Sequence, residues 1–193
     1  GEEAQAVVAE QLLLQAGASV GAEQIQLNLA DYSLTGNGDT LALTYGIAHS
    51  TDDGVEFSEL DNIAGTYILP IFAKGTTIEI FGSKEDSAII EEPFNDLFID
   101  SESSKAGATL RHPFFRTTRR EFALALTFER EESTTFLLGK PFTISPGAVN
   151  GRTHLSVLRF SQEFTDRSRE QVLALRSTFN LGVDVFGTEP VMV

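Results

Sequence analysis

The chain has 193 residues, no cysteine, 41% hydrophobic residues and a formal net charge of −14, with a pI near 4.5. That acidic balance argues against nucleic acid as a partner, because a nucleic-acid footprint is basic, and against docking on an anionic membrane surface. Without cysteine there is neither a disulfide framework nor a thiolate metal site.

No apolar run reaches the ~18 residues that a transmembrane helix needs. A transmembrane strand needs only about 9–11 residues, half of them facing lipid. The mean hydropathy of −0.03 therefore fits a membrane barrel and a soluble β protein equally. The opening Gly1-Glu2-Glu3 lacks the basic and apolar regions of a signal peptide.

In chain order, the first segment is open to two readings. Ala, Glu, Gln and Leu over Glu2–Ala16 favour a helix by propensity, while Ala6–Leu14 also suits a first strand. From Gln24 the pattern is period two: Ile25, Leu27 and Leu29 alternate with Gln24, Gln26 and Asn28. Thr35-Gly36-Asn37-Gly38 follows, and Asn37-Gly38 predicts a tight hairpin turn, since both residues accept positive φ. Leu41, Leu43, Tyr45 and Ile47 then fall on one face, with Thr40, Ala42, Thr44, Gly46 and Ala48 on the other.

Weaker strands are expected at Gly65–Ile71, Thr76–Gly82, Lys105–Phe115 and Thr153–Phe164, with Pro70 and Pro113 at strand ends, where a missing N–H is tolerated. Phe122, Leu124, Leu126 and Phe128 alternate with Ala123, Ala125, Thr127 and Glu129. The longest run starts at Gln171: Leu173, Leu175, Phe179, Leu181, Val183 and Val185 alternate with Val172, Ala174, Arg176, Thr178, Asn180, Gly182 and Asp184. That run is about 15 residues, against about 5–6 for strands of soluble domains. Its length favours a barrel in a membrane.

The connections alternate in length. Thr35–Gly38, Phe72–Gly75, Arg116–Arg120 and Thr165–Glu170 are short; Ser50–Asn62, Lys84–Ser104 and Glu131–Arg152 are long. Outer-membrane barrels have this arrangement, with short periplasmic turns and longer outer loops. Phe115, Phe122, Phe128, Phe136, Phe164 and Phe186 near strand ends suit an aromatic girdle.

Local catalytic motifs are absent. There is no G-x-S-x-G and no cysteine nucleophile. His49, His112 and His154 lack the usual ligand spacing and read as surface or strand-end residues, so no metal, cofactor or catalytic residue is expected. Glu91-Glu92 and Asp52-Asp53 invite a glycosidase reading, since that chemistry uses paired carboxylates, but solvated loop charge is the simpler account. A weak calcium loop at Thr51–Gly54 lacks ordered ligand spacing.

Several stretches, in order, resemble a known family. They are Ser19-Val20-Gly21, Thr35-Gly36-Asn37-Gly38-Asp39, Ile90-Glu91-Glu92-Pro93-Phe94, Leu110-Arg111-His112-Pro113, and Glu121-Phe122-Ala123-Leu124-Ala125-Leu126-Thr127-Phe128. Further on come Leu137-Leu138-Gly139, Pro141-Phe142, Ser145-Pro146-Gly147, Val157-Leu158-Arg159-Phe160-Ser161-Gln162-Glu163-Phe164 and Leu173-Ala174-Leu175-Arg176-Ser177-Thr178-Phe179-Asn180-Leu181-Gly182. Together they resemble the transporters of two-partner secretion, the ShlB/FhaC-type haemolysin secretion/activation proteins of the BamA-like outer-membrane superfamily.

The resemblance implies an all-β fold: an antiparallel transmembrane β-barrel, a meander of long hairpins, with about half of a 16-stranded barrel present. It implies an N-terminal segment at 1–18, a partial barrel at 19–187 and a truncated loop at 188–193. The family's POTRA modules and its lumenal loop do not occur in these 193 residues. The expected role is an outer-membrane translocator that exports a secreted adhesin- or haemolysin-type exoprotein and touches outer-membrane lipid. Lumen-facing candidates are Arg159, Glu163, Arg176, Asn180 and Asp184. Lipid-facing candidates are Leu41, Leu43, Phe122, Leu124, Leu126, Leu173, Leu175, Leu181 and Val183. The competing expectation is a soluble, secreted β-sandwich that binds carbohydrate or a protein partner.

Overall fold

The computed structural model describes residues 10–19, 22–50, 60–72, 74–88, 99–143, 148–168 and 170–183. Alternation of apolar with small or polar residues leaves no continuous stripe of helical period, and each alternating run becomes an antiparallel strand. The strands are β1 (Glu10–Ser19), β2 (Ala22–Asp31), β3 (Thr40–Ser50), β4 (Leu60–Phe72), β5 (Thr76–Ala88), β6 (Ile99–Arg116), β7 (Arg120–Leu137), β8 (Lys140–Pro141), β9 (Arg152–Arg167) and β10 (Val172–Gly182).

All belong to one sheet. Its order follows the chain from β1 to β7, then β9 and β10, and the two-residue β8 pairs back on the end of β7. Each strand pairs antiparallel with its neighbour. The result is a meander, and it is not closed: among the described residues β1 and β10 remain its two edges. No second sheet stacks on it, so the described part is a single layer and not a sandwich. The chain exposes 14064 Å², against the roughly 9,000 Å² expected of a compact folded chain of 21.0 kDa.

From Glu10 the first segment is strand, paired from Glu10↔Asp31 to Ser19↔Ala22; the rest of the expectation for Glu2–Ala16 lies outside the described residues. The last strand is shorter than its alternation predicts, Val172–Gly182. The longest strands are instead β6 and β7, 18 residues each, or roughly 60 Å when extended. Both run well into the segments expected as the long connections Lys84–Ser104 and Glu131–Arg152. Ser101–Lys105 and Glu131–Thr135 carry no apolar alternation, yet the ladder from Ile99↔Leu137 to Lys105↔Glu131 pairs their backbones.

Two further expectations need correction. The β2–β3 connection occupies residues 32–39 and takes its positive φ at Gly36 (80°) and Gly38 (72°), with Asn37 on the ordinary side. It is therefore not a two-residue Asn-Gly turn. Its shape is set by Asp39, which is fully buried and accepts hydrogen bonds from Thr35 N (3.1 Å), Thr35 Oγ1 (2.9 Å) and Tyr67 Oη (2.8 Å). Pro70 and Pro113, expected at strand ends, lie inside β4 and β6, where the pairing shifts between Pro70 and Phe72 and between Pro113 and Phe115. A bulge tolerates the missing N–H as well as a strand end does.

Candidate functional site

Pairing across nine strands fixes which side chains share a face. In β7 the alternation Phe122, Leu124, Leu126, Phe128 defines one face. The ladder carries it outward through Leu110↔Leu126↔Phe160↔Phe179 and Ala108↔Phe128↔Leu158↔Leu181. On the other side it runs through Ile78↔Leu110 and Leu69↔Ile78, and in parallel through Leu43↔Gly65 and Leu29↔Leu43. The apolar residues Ile25, Leu27, Leu29, Leu43, Tyr45, Ile63, Ile80, Leu110, Leu126, Leu173, Leu175, Phe179 and Leu181 all lie on this face, and all are exposed.

The apolar stripe has two edges. Toward the long connections the same face turns polar at Asp61, Lys84, Ser104, Glu132 and His154. Lys84↔Ser104↔Glu132↔His154 are direct cross-strand neighbours, and in β7 and β9 the change starts one row nearer the stripe, at Arg130↔Ser156. Toward the short turns stands the row Phe115↔Phe122↔Phe164↔Leu175. Measured along β7, Phe122 to Phe128 spans about 20 Å, and Leu173 to Leu181 in β10 about 27 Å.

The opposite face carries small and charged residues and is the more enclosed. Ala123, Ala125, Val157, Glu129 and Ser161 are buried there. Phe81 lies over Gly107, its direct partner in β6; a Cβ at Gly107 would also meet Phe128 O at 2.7 Å. Beside it a cleft of about 370 Å³ is lined by Thr66, Glu79, Phe81, Ser83, Lys105 and Glu129 among others.

Charge on this face is organised as a ladder across β6, β7, β9 and β10. Arg116 Nε reaches Glu121 Oε2 at 3.1 Å, and Arg111 Nη2 reaches Glu121 Oε1 at 2.5 Å. Arg111 Nε then bonds Glu163 Oε2 at 3.1 Å, and Glu163 Oε1 lies 3.8 Å from Arg176 Nε. Arg159 donates to Glu129 through Nη2 at 2.5 Å, while its buried Nε has no hydrogen-bond partner. Thr109 and Thr127 share a bond of 2.9 Å, and Ser161 and Thr178 one of 3.2 Å.

The residues singled out in the sequence sort by face. Leu41, Leu43, Phe122, Leu124, Leu126, Leu173, Leu175 and Leu181 share the apolar face; Val183 follows the last paired residue and donates its N–H to Ser156 O. Arg159, Glu163, Arg176 and Asn180 share the polar face, with Arg176↔Glu163 and Asn180↔Arg159 as cross-strand pairs. Asp184 lies outside the described residues, as do Phe186, Asp52-Asp53, Glu91-Glu92 and Thr51–Gly54. Arg111, Glu121 and Glu129, which hold the charge ladder together, were not singled out. Their signal was available, since each alternates with an apolar residue in a predicted strand.

No protein-family model, curated protein or solved structure matches the chain.

Proposed function

We propose that the chain forms part of an outer-membrane β-barrel translocator of the two-partner secretion kind, with its apolar face against lipid and its polar face lining a hydrated passage for an exported exoprotein. The observation that carries this reading is the apolar stripe itself. It crosses the sheet in register, many of its side chains are exposed, His112, Gln162 and Ser177 are the polar members of one row within it, and it gives way to polar residues toward the long connections. A water-exposed stripe of this kind is unfavourable, since burying one Leu or Phe side chain is worth about 1.5–3 kcal/mol. Hydrocarbon relieves that cost without a second sheet. The stripe's height is close to the roughly 25 Å apolar band of outer-membrane barrels, and Phe115, Phe122 and Phe164 stand where an aromatic girdle would.

The polar face supports the same reading. Its ion pairs are distributed along the wall, which suits passage of a chain better than chemistry at a point. In lipid both open edges would need partner strands, because each unpaired backbone group costs several kcal/mol there. The role is transport, and the force on the exported chain would come from folding outside the cell.

Flotation tests the reading. The refolded chain mixed with liposomes in a density gradient is expected to rise with the lipid and to resist an alkaline carbonate wash. A chain that stays at the bottom of the gradient and is monomeric in plain buffer would overturn it.

A further inference from the structure

The short turns on one end of the sheet gather arginine in a chain whose formal net charge is −14. Between the β6–β7 connection and the start of the β9–β10 connection lies a cleft of about 550 Å³. Arg116, Arg119, Arg120 and Arg167 line it, with Glu121 as its one carboxylate among the described residues. Two of these arginines are engaged: Arg116 with Glu121 at 3.1 Å and Arg120 with Asp166 at 2.7 Å. Arg119 and Arg167 are exposed and form no salt bridge among the described residues.

The backbone nevertheless holds those two together. Arg167 N donates to Arg119 O at 2.7 Å, and Arg119 Nε approaches Arg167 O at 3.5 Å. These ties keep the two residues on one cleft, and the planar fork of arginine suits a carboxylate in bidentate contact. Glu121, Thr165 and Arg167 belong to the polar face. The cleft therefore opens at the turn end of that face and not on the apolar stripe.

We propose that Arg119 and Arg167 form a docking site for the carboxylates of an acidic polypeptide segment entering the polar face from the short-turn end. This assignment rests on the translocator reading for its direction of entry, and it names the chemistry of the segment that enters first. The facing charges are Glu121, Asp166 and Glu170, of which Glu121 and Asp166 are already neutralised by Arg116 and Arg120.

The test is fluorescence anisotropy of a short fluorescein-labelled glutamate–serine peptide with the detergent-refolded chain. The wild type is expected to bind, more weakly as salt screens the contact. The Arg119→Gln/Arg167→Gln double variant is expected to bind roughly tenfold or more weakly, and Arg152→Gln, at the opposite end, as well as wild type. Circular dichroism at matched concentration shows whether each variant is folded. No binding by wild type, equal binding by the double variant, or an equal loss in Arg152→Gln overturns the proposal. So does Arg119- and Arg167-dependent binding to phosphatidylglycerol vesicles without peptide binding, which would make the site a headgroup contact. A chain that floats with liposomes but ignores the peptide loses the docking site alone. One that binds the peptide through these arginines but does not float keeps the site and loses the translocator.

Discussion

Arginine placed at Leu126 probes the two-faced wall most directly. Leu126 is exposed on the apolar face, at the middle of the row Leu110↔Leu126↔Phe160 and midway between the girdle row at Phe122 and the first polar residue of that face in β7, Arg130. At the midplane of a bilayer an arginine on the lipid face of a barrel costs about 2–4 kcal/mol, falling to about 0–1 kcal/mol near the interface. Leu126→Arg should therefore shift the folding equilibrium in vesicles by roughly 30- to 700-fold. Leu175→Arg lies in the girdle row with Phe164 and should cost much less. Thr178→Arg stands level with Leu126 but on the other face, through Thr178↔Ser161↔Ala125, and loses only its 3.2 Å contact with Ser161. The chain has no tryptophan, so circular dichroism and protease protection during urea titration in vesicles are the readouts. Equal costs at 126 and 178, or an order in which Leu175→Arg is worst, would refute the assignment of faces.

A double-mutant cycle should give Glu163 a larger coupling to Arg111, at 3.1 Å and half-buried, than to Arg176, at 3.8 Å and 70% exposed, because exposed pairs contribute little; chemical denaturation of the single and double variants measures it. Gly107→Ala should destabilise the chain by about 1–3 kcal/mol, and Phe81→Leu should rescue it only in part, since the clash with Phe128 O at 2.7 Å remains; thermal melts of the two single variants and the double variant decide this. Asp39 should make stability fall in acid. Burial works to raise its pKa, but bonds from Tyr67 and Thr35 outweigh burial and hold the carboxyl below its ordinary 3.8. A lowered folded pKa means the stabilisation is complete above that ordinary value and is lost as pH falls through the folded one. Melts across that range should show a smaller acid loss in Asp39→Asn than in wild type, the remainder coming from other lowered carboxylates such as Glu121, held down by Arg111.

Much of the sheet was legible because period-two alternation survives wherever one face is apolar, as in Leu41–Ile47 and Phe122–Phe128. The same rule failed in Ser101–Lys105, where neither face is apolar and the strand is held by its backbone ladder and by pairs such as Lys105–Glu131 at 4.0 Å. The sequence placed Arg176 and Glu163 on strands but could not show them as neighbours, because that depends on the offset of β9 against β10. The aspartate that orders the β2–β3 connection was equally hidden: Asp39 and Tyr67 are partners only after β3 and β4 pair.

The interruptions beside Pro70 and Pro113 change how the wall counts its residues. In β6, Arg111 and Pro113 point to the charged side, and without an interruption Phe115 would too. The extra residue Phe114 lets Phe115 stand opposite Phe122. In β4, Ile71 does the same for Phe72, which pairs with Thr76. Each interruption is thus a parity switch beside a hairpin bend. Losing one residue elsewhere in these strands inverts everything downstream as far as the bend, whereas losing Phe114 or Ile71 shortens the strand and leaves the paired stretch up to the proline unchanged.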